Sequence, residues 1–143
     1  MKTSVVLPTE MAEEIEQVLL RLQHSTEAEC VLLAVISGQL IDVHSRMREV
    51  DPVLVATLAA GDIAAMAELS RQVGEKSPHG AVLHEGARKS IYLVNVGGSL
   101  ILIVVFQAET PVGLVRLMAG RAAERLQALV ASYEEQLVWR RAR

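Results

Sequence analysis

The feature that most constrains this sequence is a long helical segment that is rich in alanine and nearly free of charge. It begins at Asp51 and Pro52, where the carboxylate can cap the first turn and proline fits the helix start. It reaches Gly74, a residue suited to a left-handed helix end. One side of this helix should pack on the rest of the domain, and helical spacing predicts its members as Leu54, Leu58, Ala65, Leu69 and Val73.

The opposite side of the same helix carries small, mostly uncharged residues where a surface helix normally carries Lys, Glu and Gln. A contiguous exposed apolar patch usually marks an interface. The alternative is that the helix is buried on all sides within the monomer. We expect a partner interface, and its predicted residues are Ala56, Ala60, Ile63, Ala64, Ala67 and Arg71.

The segments around this helix alternate between strand and helix patterns. In chain order they are a helix over 9–24 with Thr9 as N-cap, strands over 29–37 and 40–45, the long helix, strands over 81–85, 90–96 and 99–106, and a helix over 111–139. The order α-β-β-α-β-β-β-α, with short glycine turns, predicts an α/β sandwich whose five-stranded, mainly antiparallel sheet is flanked by helices. We expect one domain over 9–139, an N-terminal extension over 1–8 and a basic tail over 140–143.

Composition and charge argue against several classes of protein. A formal net charge of −3 does not favour a general nucleic-acid binder. Residues 100–106 form the most hydrophobic run and are far shorter than the roughly 20 residues of a membrane span, so we expect no membrane span. Residues 1–8 lack the features of a signal peptide. The single cysteine, Cys30, lies in an apolar run and cannot form an internal disulfide, which favours a cytoplasmic location.

Patterns that carry chemistry are largely missing from the sequence. The histidines His24, His44, His79 and His84 have no metal-binding spacing. Gly97 and Gly98 lead into a strand, whereas a phosphate loop leads into a helix, so they predict a hairpin turn. Neither a P-loop nor a serine-nucleophile motif occurs. We therefore expect a protein that is not an enzyme and that uses no cofactor and no metal.

The short strand over 81–85 should lie at an edge of the open sheet. Exposed edges invite strand pairing, and this one has no charged residue in its first half. Pairing with a second copy across a twofold axis would merge two sheets and bring the long helices side by side. The predicted dimer edge consists of Ala81, Val82, Leu83, His84 and Glu85.

These elements resemble the Roadblock (dynein light chain Roadblock-type) domain, which has a profilin-like fold. The resemblance covers roughly residues 9–130, and within the family it points to the bacterial MglB-type gliding and polarity regulators. The stretches that carry it are 31–38, 58–65, 84–86, 100–106, 111–116 and 120–124.

The resemblance implies a homodimer that binds a small Ras-like GTPase and stimulates its GTP hydrolysis. Such regulators hold the switch region of the GTPase in a competent arrangement and donate no arginine finger. Ala60 and Ala64 match the small residues of the central helix at which the GTPase docks, and Arg71 is added here as a charged rim. The alternatives are a scaffold subunit that leaves nucleotide turnover unchanged, and a small-molecule sensor of PAS-like shape, which the scarcity of aromatic residues disfavours.

Overall fold

A computed structural model of the chain describes residues 6–76 and 80–141. Over these residues the predicted element order is confirmed. The elements are α1 (Thr9–Thr26), β1 (Cys30–Val35), β2 (Leu40–Ser45), α2 (Pro52–Gln72), β3 (Ala81–Glu85), β4 (Lys89–Val96), β5 (Leu100–Gln107) and α3 (Val112–Arg141).

The five strands form one antiparallel sheet in the order β2-β1-β5-β4-β3. The hydrophobic strand β5 lies at its centre and is buried from Leu100 to Phe106. The turn between β4 and β5 contains Gly97 and Gly98, both with positive φ (61° and 81°), so these glycines form the predicted hairpin turn. The chain therefore places β3 at one edge of the sheet and β2 at the other.

Helices cover both faces of the sheet. Helices α1 and α3 pack against each other and against one face, through residues that include Leu19, Leu126 and Phe106. Helix α2 lies alone on the other face, where Ile63 packs in a cluster with Ile103. The predicted five-stranded sandwich is thus confirmed, and it has three layers with α2 as an outer one.

The boundaries of the terminal helices differ from the predicted ones. Pro8 is the N-cap of α1, because its carbonyl accepts the first helical amide bond, so Thr9 lies in the first turn and does not cap it. The helix continues to Thr26, whose hydroxyl donates to the Leu22 carbonyl at 2.7 Å, and Glu27 ends it with a left-handed φ of 54°. The backbone of α3 reaches into the predicted basic tail. Residues 1–5 of the predicted extension and 142–143 of the tail lie outside the described residues.

Helix α2 begins as predicted, with the Asp51 carboxylate accepting a hydrogen bond from the Leu54 amide at 3.1 Å. Its 21 residues are long and apolar enough to cross a membrane by length and composition. The expectation of no membrane span rested on the shorter run in β5 and did not consider this helix. In the fold, α2 is one of the two outer layers of the sandwich, with one side packed on the sheet.

Candidate functional site

The side of α2 that packs on the sheet is built from small residues. Ala56 and Ala59 are buried, together with Ile63, at helical spacings of three and four. The sheet face beneath them carries larger side chains, including Leu32 and Ile103. Small side chains let α2 lie close to this bulky surface, and Ile63 and the half-buried Val55 are the larger residues of the helix that pack there.

The opposite side of α2 is exposed and carries the large hydrophobic residues. Leu58 is 64% exposed, and Val73, which directly follows the helix, is 74% exposed. The other large hydrophobic residues with exposed side chains on this helix are Val53, Leu54, Met66 and Leu69. The prediction that the leucines pack on the sheet is therefore wrong, and of the four alanines predicted to face outward only Ala64 is exposed. Both sides of α2 are apolar, so hydrophobic spacing alone could not identify the side that packs on the sheet. The bulky side chains of the sheet face leave room only for the smaller residues of the helix.

The predicted partner-interface residues consequently fall into three groups. Ala56 and Ile63 are buried under α2 and are not on its outer surface. Ala60 and Ala67 are half-buried at its sides. Ala64 and Arg71 are exposed, and Arg71 donates hydrogen bonds to the Glu68 carboxylate on the same helix, at 3.0 Å from its Nε. The part that these six residues play in partner binding stays a prediction.

The two flanks of α2 face different edges of the sheet. On one flank, Ala60 and Thr57 lie beside Gly38 in the β1–β2 turn. A Cβ atom on that glycine would lie 3.5 Å from Ala60 Cβ and 3.5 Å from Thr57 Cα. On the other flank, Met66 borders a small cleft that is also lined by Ala81 and Val82 of β3. The flank containing Met66 is therefore the one next to the β3 edge.

A hydrogen bond joins α2 to β3 directly. His84 Nε2 lies within hydrogen-bonding distance of Asp62 Oδ2, and both side chains are partly exposed. Asp62 is the only charged residue of α2 before Glu68. The sequence predicted His84 as part of the dimer edge, but its pairing with Asp62, 22 positions away, could not be anticipated. It makes the outer face of α2 and the β3 edge one continuous surface.

Strand β3 is an edge strand, as predicted. Its only strand neighbour in the described part of the chain is β4. Ala81, His84 and Glu85 are exposed, while Val82 and Leu83 are half-buried. Its outer backbone groups are thus available to another strand.

In the described part of the chain, Asp62 and His84 form the one histidine–carboxylate pair of this surface. Over residues 6–76 and 80–141, no group of three or more His, Cys, Asp or Glu side chains could hold a metal ion. His44 pairs with Asp42 at 3.0 Å, and His79 lies outside the described residues. Burial raises the pKa of the Cys30 thiol, which keeps it protonated and unreactive. The exposed part of this surface consists mainly of the apolar side of α2 and the edge strand β3, which suits it to binding.

The sequence and the structure of the chain are similar to those of known proteins. The Roadblock/LC7 domain model matches residues 14–106. No curated protein sequence gave a significant match. The structure is similar to MglB of Myxococcus xanthus, at 34% identity and a TM-score of 0.83, over 90% of this chain and 96% of that chain.

Two further solved structures are similar to this one. The gliding protein MglB of Thermus thermophilus is 28% identical, with a TM-score of 0.81, over 92% of this chain and 99% of that chain. Profilin II of Acanthamoeba castellanii is 13% identical, with a TM-score of 0.54 over 80% of this chain and 94% of that chain, and supports the profilin-like fold alone. Since the domain model spans well over half of the sequence and the Myxococcus MglB matches it almost end to end, the chain belongs to the Roadblock/LC7 family.

Proposed function

We propose that this chain is a bacterial, MglB-like regulator that forms a homodimer, binds a small Ras-like GTPase and stimulates its GTP hydrolysis. The observation that carries the proposal is the exposed leucine side of α2, continuous with the unpaired β3 edge. The resemblance to MglB-type regulators supports a small Ras-like GTPase as the class of partner. A cytoplasmic location follows from such a partner and from the single buried cysteine.

Dimerisation is proposed to use β3 and the neighbouring flank of α2. Antiparallel pairing of two β3 strands would join two five-stranded sheets and satisfy the outer backbone groups of both edges. The α2 flank that faces β3 contains Met66, and helical spacing puts Leu69 and Val73 beside it. We assign this flank to the helix–helix seam of the dimer.

The GTPase is proposed to dock on the other exposed flank of α2. Ala64, Glu68 and Arg71 lie on it at helical spacings of three and four. Small residues there allow a partner backbone to come close, and the charged pair provides a polar rim. The dimer would present two such flanks beside each other.

Stimulation is proposed to act by positioning of the GTPase switch region, without an arginine finger. Arg71 is the only cation in α2, and its guanidinium is held by Glu68. A finger must instead reach the transferring phosphate of the partner. Arg71→Ala should therefore keep most of the stimulation, whereas removal of a true finger costs about 10³-fold or more in rate.

The direct test is single-turnover GTP hydrolysis by a Ras-like GTPase from the same genome, with and without the chain. We expect the rate to rise by at least about tenfold over the slow intrinsic rate. Ala64→Arg should abolish the rise while the dimer persists, because a long cation blocks close approach. Ala128→Arg, at an exposed alanine of α3, is the matched control and should behave like the unaltered chain.

Other outcomes would lead to different assignments. Tight binding of the GTPase with an unchanged hydrolysis rate would favour the scaffold alternative. Loss of the dimer in Ala64→Arg would move the dimer seam to that flank of α2. Absence of binding to any Ras-like GTPase of the genome would remove the proposed partner.

A further inference from the structure

A second surface lies on the opposite layer of the sandwich, in a groove between α1 and α3. The groove has a volume of about 390 Å³. Its apolar lining residues are Val18, Leu22, Met118 and Ala122, and Gln17 and Ser25 mark its extent along α1. Gln17 and Ser25 are eight residues apart on α1, so the groove runs for about 12 Å along the helices.

Three arginines border this groove, and none has a carboxylate partner among the described residues. Arg21 belongs to α1, and Arg121 and Arg125 are one turn apart on α3; all three are exposed. The ion pairs found in the described part of the chain lie elsewhere, on β2, on α2 and between α2 and β3. The formal net charge of the chain is −3, so this cationic cluster stands out from an acidic background.

The two helices run antiparallel, which fixes the polarity of the groove. Ser25 and Met118 both line it, near the end of α1 and the beginning of α3. Toward the other end of the same seam, Tyr133 donates a hydrogen bond to the Glu14 carboxylate at 3.2 Å. The seam is therefore basic beside Arg21 and Arg121 and acidic beside Glu14.

We propose that the α1–α3 groove binds an acidic amphipathic helix of a second protein partner. The apolar floor is narrow, because Val18, Leu22 and Ala122 are almost fully buried and Met118 is half-buried, so it would contact one row of apolar side chains on such a helix. Carboxylates one turn apart on that helix would match the spacing of Arg121 and Arg125, since residues four apart lie about 6 Å apart. Arginine is well suited to this role because its guanidinium pairs with a carboxylate through two hydrogen bonds.

This partner would bind independently of one on α2, because the sheet separates the two surfaces. Helices α1 and α3 cover one face of the sheet, and α2 covers the other. A protein held at the groove could thus be joined to one held at α2. The inference rests on the groove alone and does not require the proposed GTPase function.

The test measures binding of a synthetic helix to the full chain by fluorescence anisotropy. The probe is a capped, fluorescein-labelled, alanine-based peptide with leucines on one side and glutamates one turn apart beside them. Its counterpart carries lysine at every glutamate position. We expect saturable binding of the acidic peptide, weaker at high salt because exposed charges are screened over about 10 Å at 0.1 M salt.

Charge reversal supplies the decisive variants. The double variant R121E/R125E should bind the acidic peptide roughly tenfold more weakly and should gain binding of the lysine peptide. Arg116→Glu changes an exposed arginine of α3 that does not line the groove, and should leave both affinities unchanged. Circular dichroism verifies that both variants are folded.

Several results would overturn the proposal. These are the absence of saturable binding of the acidic peptide, equal weakening by Arg116→Glu and by the double variant, and complete competition by inorganic phosphate. Preferential binding to vesicles containing phosphatidylglycerol, lost in the double variant, would reassign the arginines to a membrane surface and would also reject the peptide helix.

Discussion

The orientation of α2 can be tested with one pair of truncations. Ile63 is 6% exposed and packs on the sheet, whereas Leu58 is largely exposed on the same helix. Truncation of a buried isoleucine to alanine costs about 2–5 kcal/mol in the free energy of unfolding. Ile63 borders the small cleft next to β3, which allows some relaxation, so we expect Ile63→Ala to cost about 3 kcal/mol.

The expected cost for Leu58→Ala is much smaller in the monomer. Full burial of a leucine side chain contributes about 1.5–3 kcal/mol, and only about one third of this side chain is covered, so the loss should be about 0.5–1 kcal/mol. Urea unfolding of both variants, at a concentration where sedimentation shows a monomer, measures the two costs. Equal costs, or a larger one for Leu58→Ala, would refute the described orientation of α2.

Three further predictions concern the described contacts. Asp51→Ala should lower the free energy of unfolding by about 1 kcal/mol, measured in urea, because it removes the side-chain cap of α2. Gly61→Ala should raise the melting temperature, since open space surrounds that helical glycine, whereas Gly86→Ala should lower it because its Cβ would lie 2.3 Å from the Lys89 carbonyl oxygen. Cys30 should resist a thiol reagent in the folded chain and react in urea, because burial both covers the thiol and raises its pKa.

The elements of the fold were predictable because their signals are local. Glycine turns separate β4 from β5, and Asp51 and Gly74 flank α2, so element order and most boundaries could be obtained without tertiary information. The end of α1 was misplaced because no glycine follows it. Glu27 adopts the left-handed conformation there, and that residue type rarely signals a helix end.

The features that depend on tertiary packing were not predictable in the same way. Ala56 and Leu58 are both apolar, and only the bulk of the opposing sheet decides which one is buried. The Asp62–His84 bond joins a helix to a strand across 22 positions. The groove arginines Arg21 and Arg121 belong to helices at opposite ends of the chain, and only the antiparallel packing of α1 on α3 brings them together.

The orientation of α2 has a consequence for assembly. A helix that buries alanines and exposes leucines gives up hydrophobic stabilisation within the monomer, because each exposed leucine forgoes most of its burial free energy. The same leucines regain it when a partner covers them. Coupled association of this kind makes stability depend on protein concentration. In the proposed homodimer dilution would separate the copies, so the cost of Leu58→Ala in urea should rise with protein concentration if that side chain lies in the dimer seam. A cost that does not change across the dimerisation range would leave Leu58 outside the seam.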